Sequence, residues 1–511
     1  MTIPTADPQA RLRQTVYFLL ITLSTGTMLG RIAAVDSVDK LAIQKHRIDE
    51  ITDQLARKKQ DLQAKGVEGP RLERALRKAE EDLQKRAQLR RPFLSANDRS
   101  RWCAVRALVE EEMRVQGAPY AIDKVINERG WDTIDMVKHD GHLYSSKPTL
   151  LPTLLAGPYW VIHRLTGATL QTHPYVIGRS MIAAVNVISL VIYFLVLVRL
   201  VERFGTSDWG RVFAIGAATF GTFLTTFAVA INNHLPAALG TVVTLYAAVR
   251  IWFDNERRLR YFVIAGLFAG FTASNELPAL ALFAMLTVVL LYKSPTRTLL
   301  GFAPAALLVA AGFFGTNWIA HHSLLPPYAH RSLENPDDNW YDYTYQCDGK
   351  EHESYWRNRA GLDRGEESAA RYALHVLVGH HGIFSLTPVW LLSVAGLVMW
   401  LVKPADGRLR ELALVIGTVS LVCLIFYLLR DQCDRNYGGM TSGFRWMFWF
   451  APLWLVVMLP AADAMARRRW TRFVALLLLA TSVFSASYPT WNPWTHPWAV
   501  NFLQYLGWVE I

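Results

Sequence analysis

The chain has 511 residues, is 52% hydrophobic, and carries 53 Lys and Arg against 42 Asp and Glu, a net charge of +11. Its apolar residues gather into long, nearly uncharged blocks, which marks a polytopic helical membrane protein rather than a soluble domain. The positive charge lies in a helical insert and in short loops between these blocks, a distribution that serves topology and excludes a nucleic-acid-binding face.

In chain order, the spacing predicts eleven spans near 15–35, 177–200, 211–229, 233–252, 259–274, 277–292, 298–319, 382–402, 410–429, 446–465 and 470–487. They divide the chain into a first segment with its span (1–35), an insert (36–92), an external loop with juxtamembrane helices (93–176), spans two to seven (177–319), a second external loop (320–381), spans eight to eleven (382–487) and an external tail (488–511). A cleaved signal peptide is the alternative for the first span, since "GRIAAVDS" carries small residues near its end.

The run 149–163 is also apolar but short, starts beside Pro148 and contains Pro152 and Gly157. If it does not cross, and Arg11 and Arg13 hold the N-terminus in the cytoplasm, the basic connections around Arg203, Arg257, Lys293, Arg408 and Arg468 all fall inside. If it crosses, all five move outside. The expectation is therefore a juxtamembrane or re-entrant helix on the outer surface, a cytoplasmic N-terminus, and a cell-membrane (inner-membrane) location.

In the insert, Leu41, Ile48, Leu55 and Leu62 recur every seven residues, and Leu72, Leu76, Ala79 and Leu83 form a second stripe after "GVEGP". Two such helices joined by a Gly-Pro turn are expected to pair as an antiparallel hairpin of coiled-coil type, a spacer or a docking surface for a protein partner.

With this topology the polar span ends collect on the outer side: "SANDRSRW" (95–102), "GWDTIDMVKHDGHLYSSKP" (130–148), "INNHLP" (231–236), "SNELP" (274–278), "NWIAHHS" (317–323) and "DQCDRNYGGMTSGFRW" (431–446). Ionisable groups this close to hydrocarbon are costly, and their clustering points to an outward-facing site. Asp98, opening an amphipathic stretch, fits a general base and equally an N-cap. Lys147 and Arg445 fit recognition of a phosphate, against a default role of snorkelling to lipid headgroups. Glu276 fits either function or a helix cap, and His234 a hydrogen-bonded interface histidine. The adjacent pairs His321/His322 and His380/His381 do not share a helical face, so no metal site is expected. The four cysteines have no zinc spacing, and Cys347 and Cys433, in two external loops, are the candidates for one disulfide.

Two segments carry a family resemblance. "YSSKPTLLPTLLAGPYWVI" resembles the Tyr-Ser-x-Lys-Pro-Pro segment of the GT-C glycosyltransferase superfamily, which includes protein O-mannosyltransferases and lipid A aminoarabinose transferases. "YGGMTSGFRWMFWFAPLWLVV" is similar to the Gly-Gly-x-x-x-Gly-Pro-Arg-Tyr segment before a late span in that group. The resemblance implies an inverting transferase that moves a sugar from a polyprenyl-phosphate carrier to an acceptor on the outer side, with the lipid-linked sugar as donor and no further cofactor. It places the loop carboxylate on Asp98, the Lys-Pro lysine on Lys147 and the late arginine on Arg445; Tyr144, Ser145, His234, Glu276 and Tyr437, in the outer polar segments, are the substrate-binding candidates. The chain departs from the pattern at Arg99, where a second acid is usual, and at Thr149 and Phe444, where prolines are usual. A transporter or flippase for a lipid-linked substrate, or a non-catalytic scaffold of this fold, are the alternative functions.

Overall fold

The computed structural model describes residues 8–34, 40–86, 93–128, 130–332, 334–335, 338–347, 349–489 and 492–508. The protein is an all-α polytopic membrane protein, with eight helices among the described residues long and apolar enough to cross a bilayer. These are Pro8–Ala34, Pro174–Phe204, Asp208–Val229, His234–Trp252, Pro295–His321, Gly407–Leu428, Arg445–Met465 and Arg469–Ser487. The remaining expected spans correspond to Leu259–Asn275, of 17 residues, and to the shorter apolar helices Leu277–Lys293 and Trp390–Val402. Helicity is not complete: two antiparallel hairpins occur, β1 (Met136–His139) with β2 (His142–Ser145), and β3 (Thr344–Cys347) with β4 (Lys350–Glu353).

Helix His234–Trp252 is the centre of the bundle. Its buried residues run all around it, from Leu235 through Ala238, Val242 and Ala248 to Ile251, as expected for a helix enclosed by other helices rather than by lipid. Close packing there relies on small residues. Beside this helix, a Cβ on Gly266 of Leu259–Asn275 would lie 2.1 Å from the Phe302 carbonyl oxygen of Pro295–His321, so the backbones of those two helices meet with no room for any side chain.

Helix α1 (Pro8–Ala34) packs on the bundle through one face, Tyr17, Ser24, Met28 and Ile32. Arg13 pairs with Glu202 at 2.7 Å and Asp208 at 2.5 Å, Tyr17 donates to Glu202, and the Ser24 hydroxyl donates to the Thr219 carbonyl. These contacts make α1 part of the bundle; the small-residue stretch beyond Ala34 lies outside the described residues.

Helices α2 (Lys40–Ala64) and α3 (Pro70–Arg86) pair as a hairpin about a turn in which Gly66 and Gly69 both have positive φ. Ala79 is buried in the seam, whereas Ile48, at its open end opposite the end of α3, is 59% exposed; the Leu41 side chain lies outside the described set. The run after Pro148 is a helix, Leu150–Thr166, laid against α4 (Ala96–Val109). The disulfide expectation fails: Cys347 and Cys433 are not bridged to each other, and the Cys347 thiol faces the Ile126 carbonyl oxygen at 3.6 Å.

Candidate active site

The "SANDRSRW" segment does not form the amphipathic surface helix its pattern suggests. It opens α4, which is buried nearly throughout, its arginines satisfied from within the protein. Ser95 caps the helix by accepting from the Asp98 backbone N–H, so the cap expected of Asp98 belongs to the residue three positions earlier. Arg106 pairs with Glu110 at 2.6 Å and Glu128 at 2.5 Å, lies 4.3 Å from the Trp131 ring centroid, and Tyr159 donates to Glu110, which joins α4 to the helix Leu150–Thr166.

Because successive helical residues point about 100° apart, α4 presents two different polar edges. Asn97 and Arg101, four residues apart, share one edge: Arg101 donates to the Asn97 carbonyl and side chain and, at 3.0 Å, to Asn233. Asp98 and Trp102 share another: the Trp102 indole N–H and the Ile231 backbone N–H both donate to Asp98 Oδ1, and Oδ2 is buried with no hydrogen-bond partner among the described residues.

The Asn97–Arg101 edge faces a cavity of about 630 Å³. Lys147, Arg445 and Glu276 line it, brought together from three distant stretches of sequence, with Asp135, Ser146 and Asn233 between them. Its lining has both characters: Leu150, Leu151, Leu277, Phe426 and Trp446 are apolar, whereas Arg331, Asp363, Asp434 and Asn436 are polar. Described residues of the segment 320–381 reach it: Arg331 pairs with Asp434 at 2.7 Å and Asn436 donates to Asp363 at 3.0 Å.

Lys147 is positioned by the β1–β2 hairpin. Its turn, Asp140-Gly141, has positive φ at both residues, the geometry an Asp-Gly hairpin turn requires. The strand ends at Ser145, and two residues on Lys147 Nζ meets Asp135 Oδ1 at 2.9 Å. Burial pulls the Lys147 pKa down, against the attraction of Asp135, and Arg101 and Arg445 are close enough to lower it further. Burial likewise brings Arg101 down to about 10. Three cations therefore crowd one pocket, and an anion placed among them would relieve their repulsion.

Arg445 is held by backbone and side chain. Its Nε donates to the Gly438 carbonyl at 2.8 Å, its guanidinium lies 5.0 Å from the Trp494 ring centroid, and Nη1 contacts His234 Nε2 at 3.0 Å. Gly438 has φ +95°, and a Cβ there would meet Arg445 Nε at 2.9 Å, so both backbone and side chain demand glycine at this position. His234 Nδ1 lies 2.5 Å from Glu276 Oε1. Arginine can only donate, so His234 Nε2 accepts and Nδ1 carries the proton to Glu276; the histidine is a neutral link between a carboxylate and a guanidinium. Asn233 also donates to Glu276 Oε1, at 2.7 Å.

The other expected residues lie off the cavity wall. Asp98 lines a separate small pocket with Tyr175 and Arg179, and only Leu94 lines both. Burial, opposed by Arg101 and the two N–H donors, pushes the Asp98 pKa up to about 7. Tyr144 stacks on His139, the Ser145 hydroxyl bonds to that of Ser100, and Tyr437 stacks on His381 with its hydroxyl toward Glu366. Asp135, Arg101 and Ser146 were not singled out from sequence. The Asp-Gly turn followed by Lys-Pro signals that the strands before Lys147 are a hairpin, and Asn97/Arg101 spacing signals a shared helical edge.

No protein-family model matches the chain and no curated protein matches it. In three dimensions it is similar to solved structures of an oligosaccharyltransferase from Archaeoglobus fulgidus. The complex with zinc and sulfate has 15% identity and a TM-score of 0.38 over 79% of this chain and 54% of that one. The apo form has 13% and 0.37 over 81% and 57%. The archaeal oligosaccharyltransferase AglB with an inhibitory peptide and a dolichol-phosphate has 14% and 0.37 over 79% and 56%. The chain thus spans a little over half the length of the structures it matches.

Proposed function

We propose that the protein is a membrane glycosyltransferase that takes a sugar from a polyprenyl-phosphate carrier and passes it to an acceptor hydroxyl, with the cavity on the outer side of the membrane. The observation that carries this reading is the convergence of Lys147, Arg445 and Arg101 on one cavity lined by both apolar and polar side chains. That is the arrangement needed by a substrate with a lipid tail, a phosphate and a polar head. The apolar wall takes the first isoprene units, the cations take the phosphate, and the polar wall takes the sugar.

In the transfer, the acceptor oxygen attacks the anomeric carbon from the face opposite the phosphate, the bond from that carbon to the phosphate oxygen breaks, and the configuration inverts. Negative charge grows on the leaving phosphate, where preformed cations lower the barrier most. Lys147 reaches it by exchanging Asp135 for the phosphate. Arg445 is aimed by His234 and Gly438. Asp98, whose affinity for protons near neutrality and Oδ2 without a partner among the described residues suit a base, stands in the adjoining pocket rather than on this cavity, so it takes the acceptor proton when the acceptor enters from that side. A second reading of the base has its own observation: Glu276 faces the cavity itself, and the hydrogen bonds made to it by described residues fall on Oε1 alone.

The test is a binding titration with undecaprenyl phosphate beside a transfer assay. Lys147→Ala removes one charge-assisted contact, about 1.5 to 3 kcal/mol, and is expected to weaken lipid binding and slow transfer by roughly one to two decades. Unchanged lipid binding in this variant, where the wild type binds measurably, would reduce Lys147 to a headgroup anchor and remove the basis for the reading.

A further inference from the structure

Beyond the three cations assigned to the carrier phosphate, the same cavity holds an arginine the proposed reaction does not use. Arg331 stands on a short turn whose backbone is pinned: its own bridge to Asn339 and the Trp340 N–H to His330 carbonyl bond close the turn, and His330 stacks on Trp340 at 3.7 Å. Its guanidinium carbon lies 5.0 Å from the Tyr341 ring centroid and 5.3 Å from that of Trp356. Nη1 is committed to Asp434 at 2.7 Å. Nε and Nη2, which share the opposite edge of the guanidinium, are both buried and have no hydrogen-bond partner among the described residues.

An arginine edge of Nε and Nη2 presents two parallel N–H groups, a fork that matches the two oxygens of a carboxylate or a phosphate. Leaving both donors unmet inside a protein is costly. Charge points the same way. Asp434 is shared between Arg331 and Arg430, the latter at 2.5 Å, so two guanidinium groups lean on one carboxylate and a positive charge is left over. Shielding by the two rings strengthens any anion contact there, because water competes less. The Arg331 side chain is 21% exposed and lines the cavity, while Nε and Nη2 are themselves enclosed, so an anion meets this edge as the side chains around it give way.

We propose that the Nε–Nη2 edge of Arg331 is a second anion subsite, which takes a carboxylate or phosphate group borne by the sugar part of a substrate, apart from the carrier phosphate. The assignment rests on the glycosyltransferase reading for its biological meaning. It implies an acidic sugar, a uronic acid or a phosphorylated sugar, on the donor or the acceptor.

The full chain in nanodiscs of zwitterionic lipid, with undecaprenyl phosphate at saturation so that the cations assigned to the carrier are occupied, is titrated calorimetrically with glucuronate, glycerol phosphate and glucose. The wild type is expected to prefer at least one anion over glucose by about tenfold or more, the scale of a charge-assisted pair, and the stronger anion identifies carboxylate or phosphate. Arg331→Gln is expected to lose the preference. Arg331→Lys keeps a cation for Asp434 and so protects the fold, but lacks the fork, and is expected to lose it too. Lys147→Ala is expected to keep it. Equal affinity for anions and glucose in the wild type, a preference that survives in Arg331→Lys, or one that vanishes in Lys147→Ala would each overturn the proposal. Undecaprenyl phosphate binding, measured on the same samples, is expected to be unchanged in both Arg331 variants. Its failure in the wild type would count against the carrier-phosphate reading and leave the Arg331 result to be judged on its own.

Discussion

Asp98 and Glu276 separate two kinds of carboxylate. Asp98 is enclosed, with one oxygen satisfied and one not, and holds its proton up to about pH 7. If it is the base, transfer requires its deprotonated form, so kcat/KM rises with pH and levels above about 7. Asp98→Asn then abolishes transfer while sparing undecaprenyl phosphate binding, and Glu276→Gln retains the limb near 7. A transfer-competent Asp98→Asn enzyme would assign the proton to Glu276. The same shift affects stability with a definite sign. The folded state binds this proton more tightly than the unfolded chain, whose carboxylate titrates at about 3.9. Stability from this group is therefore full below that value and lost as pH rises toward 7, and thermal unfolding of Asp98→Asn should show a flatter decline over this window. Lys147 and Arg445 were legible in sequence because Lys-Pro and Gly-Gly-x-x-x-Gly punctuation next to apolar runs marks cations held at a boundary. The side on which Asp98 falls was not legible, since one residue of helical phase decides it, and neighbouring Asn97 and Arg101 face the cavity instead.

At the scale of elements, the burial of α4 is not legible in its sequence, for a physical reason. A stretch with three arginines and a carboxylate has the composition of a surface helix, and only tertiary partners make its burial tolerable. The Arg106–Glu110–Glu128 cluster with Tyr159 is one such set. Removing one member of a buried ionic network strands the others, at about 3 to 5 kcal/mol. Arg106→Met is thus expected to lower the thermal midpoint of the purified protein substantially. Arg114→Met, whose side chain donates to the Leu108 carbonyl in an exposed setting, should change it little. Equal effects would mean that the network does not hold α4. The hairpin of α2 and α3 was readable from its heptads and Gly-Pro break. The β1–β2 hairpin that sets Lys147 carried its signal in two residues, Asp140-Gly141, inside a segment otherwise dominated by polar and apolar mixtures.

For the whole molecule, the positions of long apolar blocks foretold most helices, because each block must satisfy its backbone internally whatever its neighbours do. How they assemble around His234–Trp252, and that Arg331 and Asp363 reach the cavity, depends on contacts between residues more than a hundred positions apart in sequence, such as Arg101 with Asn233 and Arg331 with Asp434. The proposed orientation follows from the basic loops and can be checked by labelling. With Cys347 and Cys433 replaced by serine, a cysteine at exposed Glu351 is expected to react with an impermeant thiol reagent on intact cells, and one at exposed Arg467 only after permeabilisation. Reversed labelling would put the cavity on the cytoplasmic side.

The central claim, that this cavity receives a lipid-linked sugar by its phosphate, is tested most directly by a structure of the protein with undecaprenyl phosphate bound. The account predicts the phosphate within hydrogen-bond reach of Lys147 Nζ and the Arg445 guanidinium, with Lys147 released from Asp135 and the first isoprene units along Leu150, Leu277 and Trp446. A phosphate bound elsewhere, with the Lys147–Asp135 pair intact, would contradict it.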